Sequence, residues 1–260
     1  MDRLSLKIAV AGKGGVGKTT LSAALARALA AAGEQVIAVD ADPNNCLGRA
    51  LGFPEEELAR ITPLSEMKRL LAERAGTSEG GGLFALSPEV SDLLGRYGVK
   101  RDGVTLLVMG TVDEPGSGCV CPESAVLKAL VRHLVGLAGV SLVLDMEAGL
   151  EHLGRGTAQY VGALVIVAEP TIASARTAAR IARLARGLRL RVPGVVLNKV
   201  SSASEKEKVE PYLDGLPVFA TLPVDDAVAR SESTPTSGRY AAAVEELRSR
   251  LVEWGQAEGR

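Results

Sequence analysis

Aromatic residues are scarce: Phe, Tyr and Trp make up 3% of the 260 residues. So few ring faces argue against the stacking platforms that hold single-stranded nucleic acid. A dominant charge is lacking too. Thirty Lys and Arg against 31 Asp and Glu leave a formal net charge of −1, which gives no overall pull toward nucleic acid or an anionic membrane. The three cysteines, Cys46, Cys119 and Cys121, are too few for a disulfide framework. No uninterrupted apolar stretch approaches the ~20 residues of a membrane span. The first apolar run is short and leads straight into a Gly-rich loop, unlike a secretory signal. The expectation is a cytoplasmic protein with no membrane span and no nucleic-acid partner.

What is present is an ordinary globular composition, 47% hydrophobic and 23% charged, with 29 glycines. A chain of this length can bury a sizeable core, and residues 1–260 are expected to form a single domain. Short apolar runs recur at Ile8–Ala11, Val36–Val39, Thr105–Met109, Leu142–Leu144, Ala163–Val167 and Val195–Leu197, with a weaker one at Val218–Leu222. Helical patterns lie between most of them. Fully apolar strands alternating with helices predict an α/β fold, a doubly wound and mostly parallel sheet flanked by helices. An irregular insertion is expected at about 55–103, with Ser78–Leu83 its most linker-like part. Tyr240, Val244, Leu247, Leu251 and Trp254 follow 4-3-4-3 spacing, one apolar stripe of a C-terminal helix. Its other face mixes Glu245, Glu246 and Glu253 with Arg248 and Arg250, so docking on the core is favoured over a membrane surface. Arg176, Arg180 and Arg183 share a helical face that reads as solvated surface.

Gly12-Lys13-Gly14-Gly15-Val16-Gly17-Lys18-Thr19 is a complete Gly-x-x-x-x-Gly-Lys-Thr loop, between an apolar run of strand character and the helical segment Leu21–Ala32. Strand before and helix after is the context in which this loop binds nucleoside triphosphates, which makes the fold a P-loop NTPase. The four glycines let the backbone turn tightly and aim N–H groups at phosphate oxygens, beside a helix N-terminus whose dipole favours anions. Lys18 is expected to reach the β- and γ-phosphates, and the Thr19 hydroxyl to sit on Mg²⁺. Nucleotide contacts are expected throughout Gly12 to Thr20, Val16 and Thr20 included. Lys13, near the loop's start, is a second lysine the general pattern does not require.

Two further runs end in carboxylates. Val36-Ile-Ala-Val-Asp40-Ala-Asp42 places two at a strand's C-terminal edge, where such groups can organise Mg²⁺ and position an attacking water. One of the two could equally be a turn or helix-cap aspartate. Leu142-Val-Leu-Asp145-Met-Glu147-Ala-Gly149 ends in Asp145, placed for the Mg²⁺ shell. Gly149 follows, where an amide could sense a γ-phosphate and a flexible segment could swing when it leaves.

Taken together, Lys13-Gly-Gly-Val-Gly-Lys18-Thr19, Asp40-Ala-Asp42-Pro43 and Asp145-x-x-Ala-Gly149 resemble the deviant Walker A ATPases. That family includes MinD, ParA, the arsenite-pump ATPase and the nitrogenase iron protein. The resemblance runs from about Lys7 to Trp254. It implies a Mg²⁺-dependent ATPase that binds ATP and ADP and works as a homodimer. Lys13 would cross the dimer interface to the partner's nucleotide, Asp42 would orient the hydrolytic water, and Asp40 and Asp145 would attend the metal. Asn198, in Leu197-Asn198-Lys199, resembles the family's adenine-contacting asparagine but could also cap a turn. Pro223-Val-Asp225 resembles the segment that closes over the base.

Cys119-Val-Cys121 follows the third main strand and precedes a helix at Ser124–Leu137. A lone Cys-x-Cys is a weak metal signal, because structural zinc usually takes four ligands from one chain. In the dimer that the resemblance implies, two pairs make four thiolates on one symmetric, tetrahedral or square-planar site. Thiolates suit Zn²⁺, Ni²⁺ or Cu⁺ rather than Mg²⁺. In an iron-protein arrangement Cys119 would hold an interfacial [4Fe–4S] cluster, yet Met146-Glu147-Ala148 supplies no second cysteine. Cys119-x-Cys121 with Asp145-Met-Glu-Ala-Gly-Leu-Glu-His-Leu-Gly-Arg-Gly-Thr157 is instead similar to the CooC-type subfamily, nickel-insertion ATPases for carbon monoxide dehydrogenase. That resemblance implies a nickel metallochaperone with a Ni²⁺ or Zn²⁺ site at Cys119 and Cys121 shared across the dimer. Its client would be an apo nickel enzyme, carbon monoxide dehydrogenase or acetyl-CoA synthase. With only His133 and His152, no histidine-rich nickel store is built in. His152 reads as a surface histidine, and Cys46 is given no role. Two other readings stay open: a MinD/ParA-type spatial organiser and an iron–sulfur reductase component.

Overall fold

Residues of one strand point alternately to opposite faces, so a run that is apolar at every position needs a core on both sides. The apolar runs do form strands: β1 (Lys7–Gly12), β2 (Gln35–Ala41), β4 (Val104–Val108), β5 (Val140–Met146), β6 (Ala163–Ala168), β7 (Val195–Val200) and β8 (Val218–Pro223), the last an edge strand that is only partly buried. A further short strand, β3 (Val99–Arg101), lies at one edge. The computed structural model describes residues 5–77, 88–110, 122–146 and 161–258; the linker-like Ser78–Leu83 lies outside them. The described strands make one eight-stranded sheet ordered β3-β4-β2-β5-β1-β6-β7-β8. Every pairing is parallel except β3 with β4.

Ile8, Val10, Val36 and Ala38 face one core, together with Leu21, Leu25 and Leu29 of helix α1 (Lys18–Ala31). Ala9, Ala11, Ile37 and Val39 face the other, which includes Leu127, Leu130 and Leu134 of α6 (Pro122–Gly136) and Ala175, Ala178 and Ala182 of α7 (Ile172–Gly187). The fold is therefore the doubly wound α/β sheet that the alternation predicts.

The described parts of the stretch about 55–103 are more regular than its composition suggests. After α2 (Leu47–Ala50) come three short helices, α3 (Glu55–Leu58), α4 (Lys68–Ala75) and α5 (Leu93–Tyr97), and then β3. Leu64, Leu71, Ala75, Val90 and Leu93 are buried in the second core, which explains why the segment is held. Their wide spacing gives no sustained period, and the polar Lys100 and Arg101 conceal the edge strand.

The remaining α-helices among the described residues are α8 (Ala203–Val209), α9 (Asp226–Arg230) and α10 (Gly238–Glu258). Helix α8 starts with a capping box, Ser202 and Glu205 exchanging side-chain and backbone hydrogen bonds. In α10, Tyr240, Val244, Leu247 and Leu251 are all buried in the first core. Trp254 at the end of the stripe is half-buried, with the Arg191 guanidinium 5.8 Å from its ring centroid. The stripe thus docks on the protein's own core. Arg176, Arg180 and Arg183 are exposed; Arg183 pairs with Asp214 at 3.0 Å. Among the described residues, no helix is long and apolar enough to cross a membrane.

Because Leu251 is buried, Leu251→Ala should cost about 2–5 kcal/mol, read as a lowered urea midpoint at unchanged slope. A cost below about 0.5 kcal/mol, the range of surface substitutions, would mean that α10 does not contribute its apolar face to the core.

Candidate functional site

Strand β1 lies between β5 and β6, at the point where successive connections depart in opposite directions. Ligands of open α/β sheets bind in the crevice outside the carboxyl ends of the strands at such a point, and the Gly-rich loop, which joins β1 to α1, lies at that end. A side chain at Gly12 would collide with the Val167 carbonyl of β6, so the loop leaves β1 in close contact with the neighbouring backbone. Gly17 has φ of 92°, in the left-handed region, and precedes the first turn of α1. Asn198 Nδ2 donates to the Val16 carbonyl at 2.9 Å and occupies the space that a Cβ on Gly17 would need.

Lys13, Gly14 and Gly15 are exposed, Val16 and Lys18 are buried, and Thr19 and Thr20 are half-buried. The first turn of α1 has no acidic residue and no side-chain cap. Its N–H groups and dipole are directed at the crevice, as an anion site requires. Lys18 Nζ donates to the Lys13 carbonyl at 3.4 Å.

Asp40 and Asp145 sit opposite each other in the β2–β5 register, and both are fully buried. Burial pushes the Asp40 carboxyl up to about 7; hydrogen bonds from backbone amides oppose this, and the charge of Asp145 adds to it. Asp145 is pushed up to about 6, again mainly by burial, against the hydroxyls of Thr19 and Ser22 and the charge of Lys18.

The two carboxylates are used differently. Asp40 Oδ2 accepts from the Leu47 amide at 2.9 Å and Oδ1 from the Asp42 amide at 3.2 Å, so Asp40 ties down the loop that follows β2. Asp145 Oδ1 accepts from Ser22 Oγ at 2.9 Å, while its buried Oδ2 has no hydrogen-bond partner. An orphaned carboxylate oxygen close to the Thr19 hydroxyl fits a divalent cation. Among the described residues no three His, Cys, Asp or Glu side chains converge as a metal site of their own. A cation here would take its remaining ligands from phosphates and water, the usual habit of Mg²⁺.

Asp42 is half-buried, and its Oδ1 is oriented by the Asn44 amide at 2.9 Å and Asn44 Nδ2 at 2.8 Å. Cys46 in the same loop is exposed; partial desolvation on its inner side and the nearby charges of Asp40 and Asp42 push its thiol up.

On the opposite flank, Asn198 is buried and its Oδ1 has no partner, an acceptor suited to an exocyclic amine. Pro223 ends β8. Asp225 is committed to the backbone: Oδ1 accepts from the Ala227 amide at 2.9 Å and Oδ2 from the Tyr240 amide at 3.3 Å. It shares a cleft of about 450 Å³ with Val200, Ser201 and Arg239. The structure therefore gathers Gly12 to Thr20, Asp40, Asp42 and Asp145 along one edge, with Asn198 against the loop. Cys119, Cys121, Gly149 and His152 lie outside the described residues.

Three residues at this edge, Ser22, Lys199 and Glu169, were given no role by the sequence. Ser22 was legible in principle, since it lies one helical turn from Lys18 and Thr19. Lys199 and Glu169 were not: they meet the loop only because β6 and β7 lie beside β1.

The model of the CobQ/CobB/MinD/ParA nucleotide binding domain matches residues 7–236. The chain is 43% identical over 233 residues to the carbon monoxide dehydrogenase accessory protein CooC of Rhodospirillum rubrum, covering 89% of each chain. It is 44% identical to an uncharacterised ATP-binding protein of Methanocaldococcus jannaschii, over 87% of this chain and 88% of the other. Its fold is similar to the septum site-determining protein MinD of Pyrococcus horikoshii complexed with Mg-ADP. The TM-score is 0.67 at 20% identity, over 98% of this chain and 99% of that one.

An unfolded aspartate ionises near pH ~4, whereas Asp145 in the fold holds its proton up to about 6. The folded state therefore binds more protons between those limits, and Asp145 lowers stability as pH rises through that window, by on the order of 3 kcal/mol. Asp40 extends the same trend to about 7. Asp145→Asn should flatten the fall in melting temperature between about pH 4 and pH 6 for protein free of nucleotide and metal; parallel curves for variant and wild type would contradict this assignment.

Proposed function

The chain belongs to the CobQ/CobB/MinD/ParA nucleotide-binding family, and from that premise we propose that it is an ATP-dependent nickel metallochaperone. The observation that carries the reading is its 43% identity to a carbon monoxide dehydrogenase accessory protein along 89% of both chains, in a sequence that also contains Cys119-Val-Cys121.

ATP would lie along the edge described above. Amides of Gly12 to Thr20 bind the phosphates, Lys18 meets the β- and γ-phosphates, and the Asn198 Oδ1 accepts from the adenine amine. Pro223 and Asp225 border the base. Thr19 and Asp145 would hold Mg²⁺, with Asp40 fixing the adjoining loop; bound Mg²⁺ supplies charge neutralisation to the phosphates. Asp42 orients a water for in-line attack on the γ-phosphorus. The bond from that phosphorus to the bridging oxygen breaks, giving ADP and phosphate. Gly149 would register the γ-phosphate.

Lys13 is exposed in the single chain, as a residue that reaches a partner's nucleotide must be. In the homodimer, Cys119 and Cys121 of both protomers would supply four thiolates to Ni²⁺, or to Zn²⁺ in its place. Hydrolysis loosens the dimer and releases the metal to an apo nickel enzyme, carbon monoxide dehydrogenase or acetyl-CoA synthase, in the cytoplasm. Nucleotide and metal must each prefer the same dimer, so their affinities are reciprocally coupled.

Metal analysis of the dimer with an ATP analogue should give about one Ni²⁺ per two chains, as a shared four-ligand site requires, and none in Cys119→Ser/Cys121→Ser. One metal per chain retained in the double variant would falsify the shared site. Sedimentation should show Lys13→Ala losing ATP-dependent dimerisation while still binding nucleotide, and Lys18→Ala losing nucleotide binding itself. Equal dimerisation by Lys13→Ala and wild type would remove the lysine from the interface.

A further inference from the structure

Strand β7 changes register with β8 between Leu197 and Val200, and Lys199, inside that irregularity, has φ of 60°. The left-handed region is strained for a residue with a Cβ and is kept where surrounding contacts over-determine it. Those contacts are explicit. Lys199 Nζ donates to the Gly15 carbonyl of the phosphate loop at 2.8 Å and to Glu169 Oε1, just past the end of β6, at 2.6 Å. The neighbouring Asn198 Nδ2 holds the Val16 carbonyl. Two successive residues of β7 thus grip two successive carbonyls of the loop.

The ion pair alone is a weak reason to retain this geometry. The Lys199 and Glu169 side chains are 49% and 32% exposed, and pairs so open to water contribute little. The grip on Gly15 has a clearer consequence. A peptide whose carbonyl is held toward β7 presents its N–H on the opposite side, where a phosphate binds.

We infer that Lys199, oriented by Glu169, is a positioning residue for the nucleotide: it pins the Gly15 carbonyl so that the loop amides face the phosphates before the nucleotide arrives. The inference rests on the nucleotide reading of the loop and adds a preorganising residue to it. Asn198 and Lys199 divide the work. Asn198 keeps one buried oxygen for the base, and Lys199 serves the phosphate end without touching the ligand.

The test compares Lys199→Met, which keeps the backbone strain, with Lys199→Gly, which relieves it; both remove the amine. Calorimetric titration with Mg-ADP should show both binding ~5–10-fold more weakly than wild type, the exposure-discounted worth of one charge-assisted hydrogen bond. Lys199→Gly should nevertheless melt higher than Lys199→Met. Lys199→Arg should recover affinity to within about twofold of wild type, and Glu169→Gln should fall between wild type and Lys199→Met. Affinity that follows melting temperature, with Lys199→Gly binding like wild type, overturns the inference, because the residue would then act only on backbone stability. Wild-type affinity in Lys199→Met overturns it too and leaves the nucleotide reading standing. Failure of the wild type itself to bind Mg-ADP would remove both.

Discussion

The burial of two carboxylates side by side, Asp40 and Asp145, is the constraint around which the rest of this edge is arranged. Each is fully buried, and the two are paired in register on adjacent parallel strands. Charge in such a place is costly unless hydrogen bonds or a cation compensate it. The structure compensates them unequally. Both oxygens of Asp40 take backbone amides, which turns a potential metal ligand into the clasp of the loop carrying Asp42. Asp145 receives a hydroxyl from Ser22 on one oxygen and nothing on the other. A cation at the free oxygen would supply the compensation the protein withholds. Of the two aspartates that follow the apolar run of β2, Asp40 takes two backbone amides and Asp42 takes the Asn44 amide, whereas Asp145 at the end of β5 has the open valence.

The phosphate loop lies between this pair and a second support of different chemistry. On the β5 side, Ser22 of α1 is tied to Asp145. On the β6–β7 side the loop meets the Val167 carbonyl, Asn198 and Lys199. A glycine-rich segment has much conformational freedom to lose, so fixing its carbonyls from outside reduces what nucleotide binding must later order. The same close contacts account for two of the glycines, since neither Gly12 nor Gly17 has room for a Cβ.

Much of this was legible in the sequence, for identifiable reasons. Ile8–Ala11, Val36–Val39 and Ala163–Val167 are apolar at every position, which only strands covered on both faces require. The loop announces itself through four glycines with Lys18 and Thr19, because phosphate binding by backbone amides constrains residue type at fixed spacing. Contacts between distant segments were not legible. Lys199 and Glu169 lie thirty positions apart and adjoin the loop only through sheet order. Helices α3 to α5 were missed because Leu64, Leu71, Ala75, Val90 and Leu93 reach the core from short pieces with no common period. Asp225 was read for its place beside the base, yet its oxygens cap α9 and hold the Tyr240 amide; one carboxylate after a strand looks the same in either role.

The clasp at Asp40 also bears on how the nucleotide site could govern the metal site proposed at Cys119 and Cys121. The Asp40 side chain holds Leu47 and Asp42, while its carbonyl accepts from the Met109 and Gly110 amides at 2.8 and 3.2 Å. Met109 in turn accepts from the Ser65 amide at 3.0 Å. One residue thus connects the loop of Asp42 with the start of the segment leading to Cys119 and Cys121. The far end of that segment enters α6, whose Leu127, Leu130 and Leu134 share a core with Leu71 and Ala75 of α4. Under the proposed function, a change at Asp42 on loss of the γ-phosphate has a short covalent and hydrogen-bonded route to the cysteines. Such a route yields coupling only if the Asp40 clasp has two arrangements that nucleotide and metal both bias.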